Sequence, residues 1–128
     1  MKPIHFFLLL IITFTAGCSL AQKQQGDLSA LEFSQLLNEK KGVVVDIRTP
    51  EEYKTGHIPG AVNINYYDED FLQNLQNEYS IEKPLFIYCA SANRSTKAMI
   101  LMKKNGFTEV YNLLNGIPAW TKEGLPTE

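Results

Sequence analysis

Apolar positions along this 128-residue chain follow two spacings that alternate. Leu28-Ser-Ala-Leu-Glu-Phe33 predicts a helix start. Ser29 is the N-cap, Glu32 completes a capping box, and Leu28 and Phe33 form a hydrophobic staple. Leu36 and Leu37 extend that face until Lys40-Lys41-Gly42 ends it. Val43-Val-Val-Asp-Ile47 has no polar alternation, which suits a strand buried on both faces. Thr49-Pro50-Glu51-Glu52 predicts a second capped helix with Pro at its first position, ending near Gly56. A turn at His57–Gly60 precedes a short strand at Ala61–Ile64, and Phe71, Leu72, Leu75 and Tyr79 stand at helical spacing. Leu85–Tyr88 reads as a strand, followed by a loop and a helix from Ser95 with Ala98, Leu101 and Met102 expected inward. Gly106 is expected to close that helix, with Phe107 folding back toward Met102. Glu109–Leu114 is the last strand, and Gly116–Trp120 opens a terminal helical turn. Strands alternating with helices imply an α/β fold with a mostly parallel sheet covered on both faces. Ligands of such sheets bind beyond the carboxyl ends of the strands.

The first residues obey neither spacing. Met1-Lys2 is a positive start, Phe6–Ile12 a short apolar run, and Thr15-Ala16-Gly17-Cys18 a small-residue end, the order of a secretory signal peptide. The run is too short for a membrane span, which needs about 20 apolar residues. Ala16-Gly17-Cys18 is similar to the bacterial lipobox, which would make 1–17 the signal and Cys18 the lipidated residue. A cut after Ala21 is the alternative and would release a soluble protein. Residues 18–26 then form a tether and 27–128 a single domain. The expected location is outside the cytoplasm, in the bacterial cell envelope or periplasm, with membrane contact through a lipid anchor if Cys18 is modified.

Composition adds exclusions. At 45% hydrophobic and 20% charged, the chain is ordinary globular protein. Loss of Lys2 with a leader would take the formal charge from −2 to about −3. No basic cluster exceeds pairs such as Lys103-Lys104, which argues against nucleic acid as a partner. With Cys18 lipidated or removed, Cys89 is the remaining thiol and an intrachain disulfide is excluded.

Candidate chemistry gathers at Cys89. It ends the apolar run Pro84–Tyr88 and opens the loop Ala90-Ser91-Ala92-Asn93-Arg94, with Ser95 starting the helix. Unpaired N–H groups and the partial positive charge of the helix end favour thiolate over thiol. Arg94 is mildly unfavourable at a helix amino end, which suggests that it serves an anion. Asp46 and Arg48 end another strand. Asp46 is expected to brace its loop by hydrogen bonds, and Arg48 to pair with a carboxylate or rim the site, with direct substrate contact as the alternative. His57 reads as a turn-fixing residue rather than a general base. With Cys89 it supplies too few ligands for zinc, so neither a metal nor a cofactor is implied. Trp120 and the tyrosines read as core or rim packing, and Asp68-Glu69-Asp70 as a solvated helix start.

Four segments resemble, in order, those of a rhodanese domain: Val45-Asp-Ile-Arg-Thr-Pro-Glu-Glu-Tyr53, Gly56-His-Ile-Pro-Gly-Ala-Val-Asn-Ile64, Tyr88-Cys-Ala-Ser-Ala-Asn-Arg-Ser95 and Val110-Tyr-Asn-Leu-Leu-Asn-Gly-Ile-Pro-Ala-Trp120. The resemblance spans nearly all of Asp27–Glu123. It implies a rhodanese-like three-layer sandwich around a mostly parallel five-stranded sheet. It also implies sulfane-sulfur transfer through a Cys89 persulfide, from a small sulfur-containing anion such as thiosulfate to a thiol or cyanide acceptor. Main-chain amides from Ala90 to Ser95 would hold the anionic species, with Arg94 at the lip. Cysteine phosphatases of related design place five residues between Cys and Arg. Cys89 and Arg94 enclose four, a tighter cup better matched to a sulfur atom. A non-catalytic anion- or protein-binding module and a periplasmic thiol redox protein are the alternatives.

Two positions depart from the usual pattern, Ala92 and Asn115 each replacing a Gly. A positive φ would cost Ala about 1 kcal/mol, whereas Asn tolerates it better. The assigned chemistry requires the Cys89 sulfur to be more acidic than a free cysteine and open to solvent.

Overall fold

The computed structural model describes residues 26–128, so the signal segment 1–17, the alternative cut after Ala21 and Cys18 lie outside the described residues. Strand β1 (Asp27–Leu28) leads into helix α1 (Ala30–Lys40), then β2 (Val43–Asp46), α2 (Pro50–Lys54) and β3 (Val62–Asn63). Helix α3 (Phe71–Glu78), strand β4 (Leu85–Tyr88), α4 (Asn93–Lys104), β5 (Val110–Leu113) and α5 (Ile117–Lys122) follow. The strands form one sheet in the order β1-β5-β4-β2-β3, and every neighbouring pair is parallel. This is the expected five-stranded parallel sheet with helices on both faces.

Successive strand residues face opposite sides of a sheet, and the two cores divide accordingly. Val45, Ile47, Leu85, Ile87, Cys89 and Val110 pack with Phe71 and Leu75 of α3 and Ala98, Met99 and Met102 of α4. Val44, Phe86, Tyr88, Tyr111 and Leu113 pack on the other side with Ala30 and Phe33 of α1 and Trp120 of α5. Phe33 meets Phe86 and Trp120 edge-on, at centroid distances of 5.2 and 6.1 Å. Each such pair adds about 0.5–1.5 kcal/mol beyond simple burial. Strand β4 lies between β5 and β2, so the residue after it has the exits of both neighbours beside it.

Both capping boxes form. The Ser29 hydroxyl accepts from Glu32 N at 3.3 Å while Glu32 Oε2 accepts from Ser29 N at 3.1 Å. Thr49 and Glu52 repeat the exchange at 3.3 and 2.9 Å.

Four details differ from the sequence reading. Asp27–Leu28 is a strand, held by Asn112 N–H to Gly26 O at 2.9 Å and Leu114 N–H to Leu28 O at 2.8 Å. Leu28 thus serves the sheet edge as well as the helix start. Helix α1 closes through Lys41 in the left-handed region, not through Gly42. Gly42 is needed for space, because a Cβ there would stand 2.4 Å from the Phe86 ring. Helix α4 begins at Asn93, two residues earlier than expected. Its inward face is Ser95, Ala98, Met99 and Met102, while Leu101 is partly exposed. The earlier start leaves the 3.6-residue period to select Met99.

Candidate active site

Strand β4 delivers Cys89 to the mouth of the sheet. The two neighbouring strand exits grip the chain there. Ile47 N–H donates to Tyr88 O at 3.0 Å, and Ile117 N–H donates to Cys89 O at 3.0 Å. The chain then turns through Ala90–Ala92 into α4. Ala92 takes φ 73° and ψ −3°, and its carbonyl accepts the helical bond from Thr96 N–H at 2.9 Å. The amides ahead of that bond are left to point at a ligand.

The sulfur occupies that position. Cys89 Sγ lies 3.4 Å from Ser95 Oγ, and Ser95 is itself buried. Burial pushes the Cys89 thiol up. The Ser95 hydroxyl and the main-chain amides of Ser91, Ser95 and Ala92 outweigh that, so the thiol sits below its ordinary acidity constant. Of the remaining loop residues, Ala90 backs against Gly116 and Asn93 is exposed.

One expectation fails. Cys89 is 0% exposed, so its sulfur is activated but not open to solvent. The side chain points along the Leu85–Ile87 face into the core beside α4. With the sulfur fully covered, a donor reaches it only after the atoms around it shift.

Arg94 is not free at the lip. Its guanidinium forks onto Glu52, with Nη1 to Oε2 at 2.8 Å and Nη2 to Oε1 at 2.9 Å. Its Cζ lies 5.3 Å from the Tyr67 ring centroid. The Arg94 hydrogen bonds hold the Glu52 carboxyl down at about 2. Glu52 caps α2 as its spacing from Thr49 predicts, while its pairing with Arg94 joins residues 42 apart and has no local sequence signal.

Asp46 and Arg48 brace the site from beneath. Arg48 Nε and Nη2 reach the Asp46 carboxylate at 3.0 and 2.7 Å, and Asp46 Oδ1 also accepts from Arg48 N–H at 3.0 Å. Tyr88 OH donates to Asp46 Oδ2 at 2.6 Å and accepts from Ile58 N–H at 3.1 Å. Burial and the Asp46 carboxylate push the Tyr88 phenol far up, so it remains a donor. Arg48 Nη2 also reaches Gly56 O at 2.7 Å. Tyr88 was expected to be packing only, yet it links the Cys89 strand to this cluster.

His57 lies among other partners. Nδ1 is 3.1 Å from Tyr53 O, the ring stacks on Tyr53 at 3.7 Å, and Nε2 is 3.3 Å from Glu128 Oε1. These contacts fix the turn, as expected. Among the described residues, no group of three His, Cys, Asp or Glu side chains is placed to hold a metal.

Ala92 bears the strain anticipated for a non-glycine residue. Ala92→Gly is expected to raise stability by about 1 kcal/mol, read as a higher urea midpoint at unchanged slope. An unchanged or lower midpoint would show that the loop holds Ala92 without penalty.

Comparison with known proteins agrees with this geometry. The family model for the rhodanese-like domain matches residues 29–123. The uncharacterized protein YqhL of Bacillus subtilis is 35% identical over 120 residues, covering 94% of this chain and 91% of that protein. Thiosulfate sulfurtransferase 16, chloroplastic, of Arabidopsis thaliana is 36% identical over 93 residues, covering 66% and 78% respectively. The solution structure of the rhodanese-like domain of the Anabaena protein Alr3790 superposes with a TM-score of 0.70 at 29% identity, covering 81% of this chain and 77% of that one.

Proposed function

This chain belongs to the rhodanese-like domain family, and on that premise we propose that it is a sulfurtransferase working through a persulfide on Cys89. One observation carries the reading. Strand β4 ends at the Cys89 sulfur, which lies 3.4 Å from the Ser95 hydroxyl at the start of α4 and faces the main-chain amides of Ser91, Ala92 and Ser95.

The steps balance. The Cys89 thiolate attacks the outer sulfur of a donor such as thiosulfate. A new S–S bond forms, the old one breaks, and sulfite leaves with its electron pair. The acceptor, cyanide carbon or a thiolate, then attacks the outer sulfur and returns Cys89 as thiolate. The amides that face Sγ are placed to stabilise negative charge on the thiolate that attacks and that is returned.

The test is intact-mass measurement after incubation with sulfane-sulfur donors. Cys89 is expected to gain one sulfur atom, which cyanide then removes as thiocyanate. Adduct formation should persist at pH values where a free cysteine is mostly protonated, because the folded thiol is the stronger acid. No adduct with thiosulfate or with an organic persulfide would end this reading.

The leader belongs to the same proposal: export to the cell envelope, with a lipid on Cys18. The mature mass in the native host tests it.

A further inference from the structure

The guanidinium at the end of the Cys89 loop, Arg94, is already paired with a carboxylate. Arg94 lies in the first turn of α4 behind the Cys89 loop, and its Nη1 and Nη2 each give an N–H to the Glu52 carboxylate, at 2.8 and 2.9 Å. Glu52 is itself fixed, because its Oε2 also accepts the Thr49 amide at 2.9 Å. The second guanidinium of the neighbourhood, Arg48, is bound to Asp46. The sulfur therefore sees amide dipoles, but the adjoining rim carries an ion pair with no net charge. Beside that pair lies Tyr67, 65% exposed, its ring open to solvent.

Two classes of donor meet this rim differently. Thiosulfate is a dianion whose sulfonate end stays outside the amide ring and needs a cation. An organic persulfide leaves a carbon-bearing sulfur outside, which needs none and finds an aromatic surface. Granting sulfur transfer at Cys89, we infer that Glu52 is a specificity-determining residue. By occupying the Arg94 fork it turns the site away from inorganic dianions and toward sulfane sulfur carried on a thiol. In that reaction the thiolate attacks the outer sulfur of R–S–SH, a new S–S bond forms, the S–S bond of the donor breaks, and the thiolate RS⁻ departs. The proton stays on the transferred sulfur.

Glu52→Gln is the informative variant, since Gln serves a capping box as Glu does while the charge is removed. Its kcat/KM with thiosulfate is expected to rise about fourfold or more, the effect of one unit charge on a dianion roughly 10 Å away in water. The gain should fall in KM. With cysteine persulfide the change should stay within about twofold. Added salt should erode the gain, because the screening length is about 8 Å at 0.15 M. The double variant E52Q/R94M should lose it, since the effect acts through Arg94. The unmodified protein gives an independent reading, with kcat/KM for thiosulfate nearly flat in salt. A steep fall with salt, equal change for both donors, or a loss with thiosulfate in Glu52→Gln would overturn the inference. If Cys89 takes sulfur from donors but the donor ratio does not move, this inference alone falls. If Cys89 takes sulfur from neither donor, sulfur transfer falls with it.

Discussion

Asp46→Ala is expected to lower the unfolding free energy by about 3–5 kcal/mol, enough to unfold much of the population. The carboxylate is completely buried and the Arg48 side chain is 5% exposed. Removing the carboxylate strands a guanidinium that water cannot reach. The Tyr88 hydroxyl loses its acceptor at the same time, and the Arg48 amide loses Oδ1. Gly56 O, at 2.7 Å from Nη2, remains as an acceptor but supplies no charge. The measurement is the urea midpoint at neutral pH. A loss below about 1 kcal/mol would show that the guanidinium escapes to solvent and that the pair is not structural. The double variant Asp46→Leu with Arg48→Met should recover part of the loss. Breaking a buried pair is costly, whereas replacing both partners with apolar residues is often nearly neutral.

Gly116→Ala is expected to cost about 3 kcal/mol or more and to alter Cys89 as well. A Cβ at Gly116 would stand 2.6 Å from Ala90 C, 2.6 Å from Cys89 O and 2.7 Å from Ser91 N. These are main-chain atoms of the sulfur loop, so no side chain can rotate away. Overpacking of this kind costs about 1–3 kcal/mol, and φ 70° with ψ −166° is a nearly glycine-only conformation that adds about 1–3 kcal/mol for any residue with a Cβ. Relief requires moving the Ala90–Ser91 peptide, and the Ser91 amide is one of those that hold the thiol down. The thiolate absorbance titration of Cys89 should therefore shift toward that of a free cysteine, alongside a lower urea midpoint. An unchanged titration would mean that the loop is not positioned by this contact.

What the sequence disclosed was what depends on neighbours along the chain. Ser29 with Glu32 and Thr49 with Glu52 announce helix starts because both partners lie within one turn. Ala92 and Asn115 were marked as replacing glycine, and both adopt positive φ. The site was legible as far as Cys89 and its amides, since a strand, a loop and a helix in succession place them. What the sequence did not disclose depends on elements brought together by the sheet. Strand β1 is two residues long and exists through its pairing with β5, 85 residues away in the Asp27–Asn112 contact. The Arg94–Glu52 pair spans 42 residues, and so does the Tyr88–Asp46 bond. The burial of Cys89 followed the same logic. A helix that starts at Asn93 brings Ala98 and Met99 over the face that the sulfur shares.

The contacts around Cys89 come from the ends of three strands that are central in space but widely separated in the chain. A nascent or partly folded polypeptide has the thiol but not the Ile117 and Ile47 clasps that shape its loop. Such a chain carries a cysteine without the contacts that hold its thiol down. The acidity of one sulfur atom is therefore a gauge of whether assembly of the whole sheet is complete.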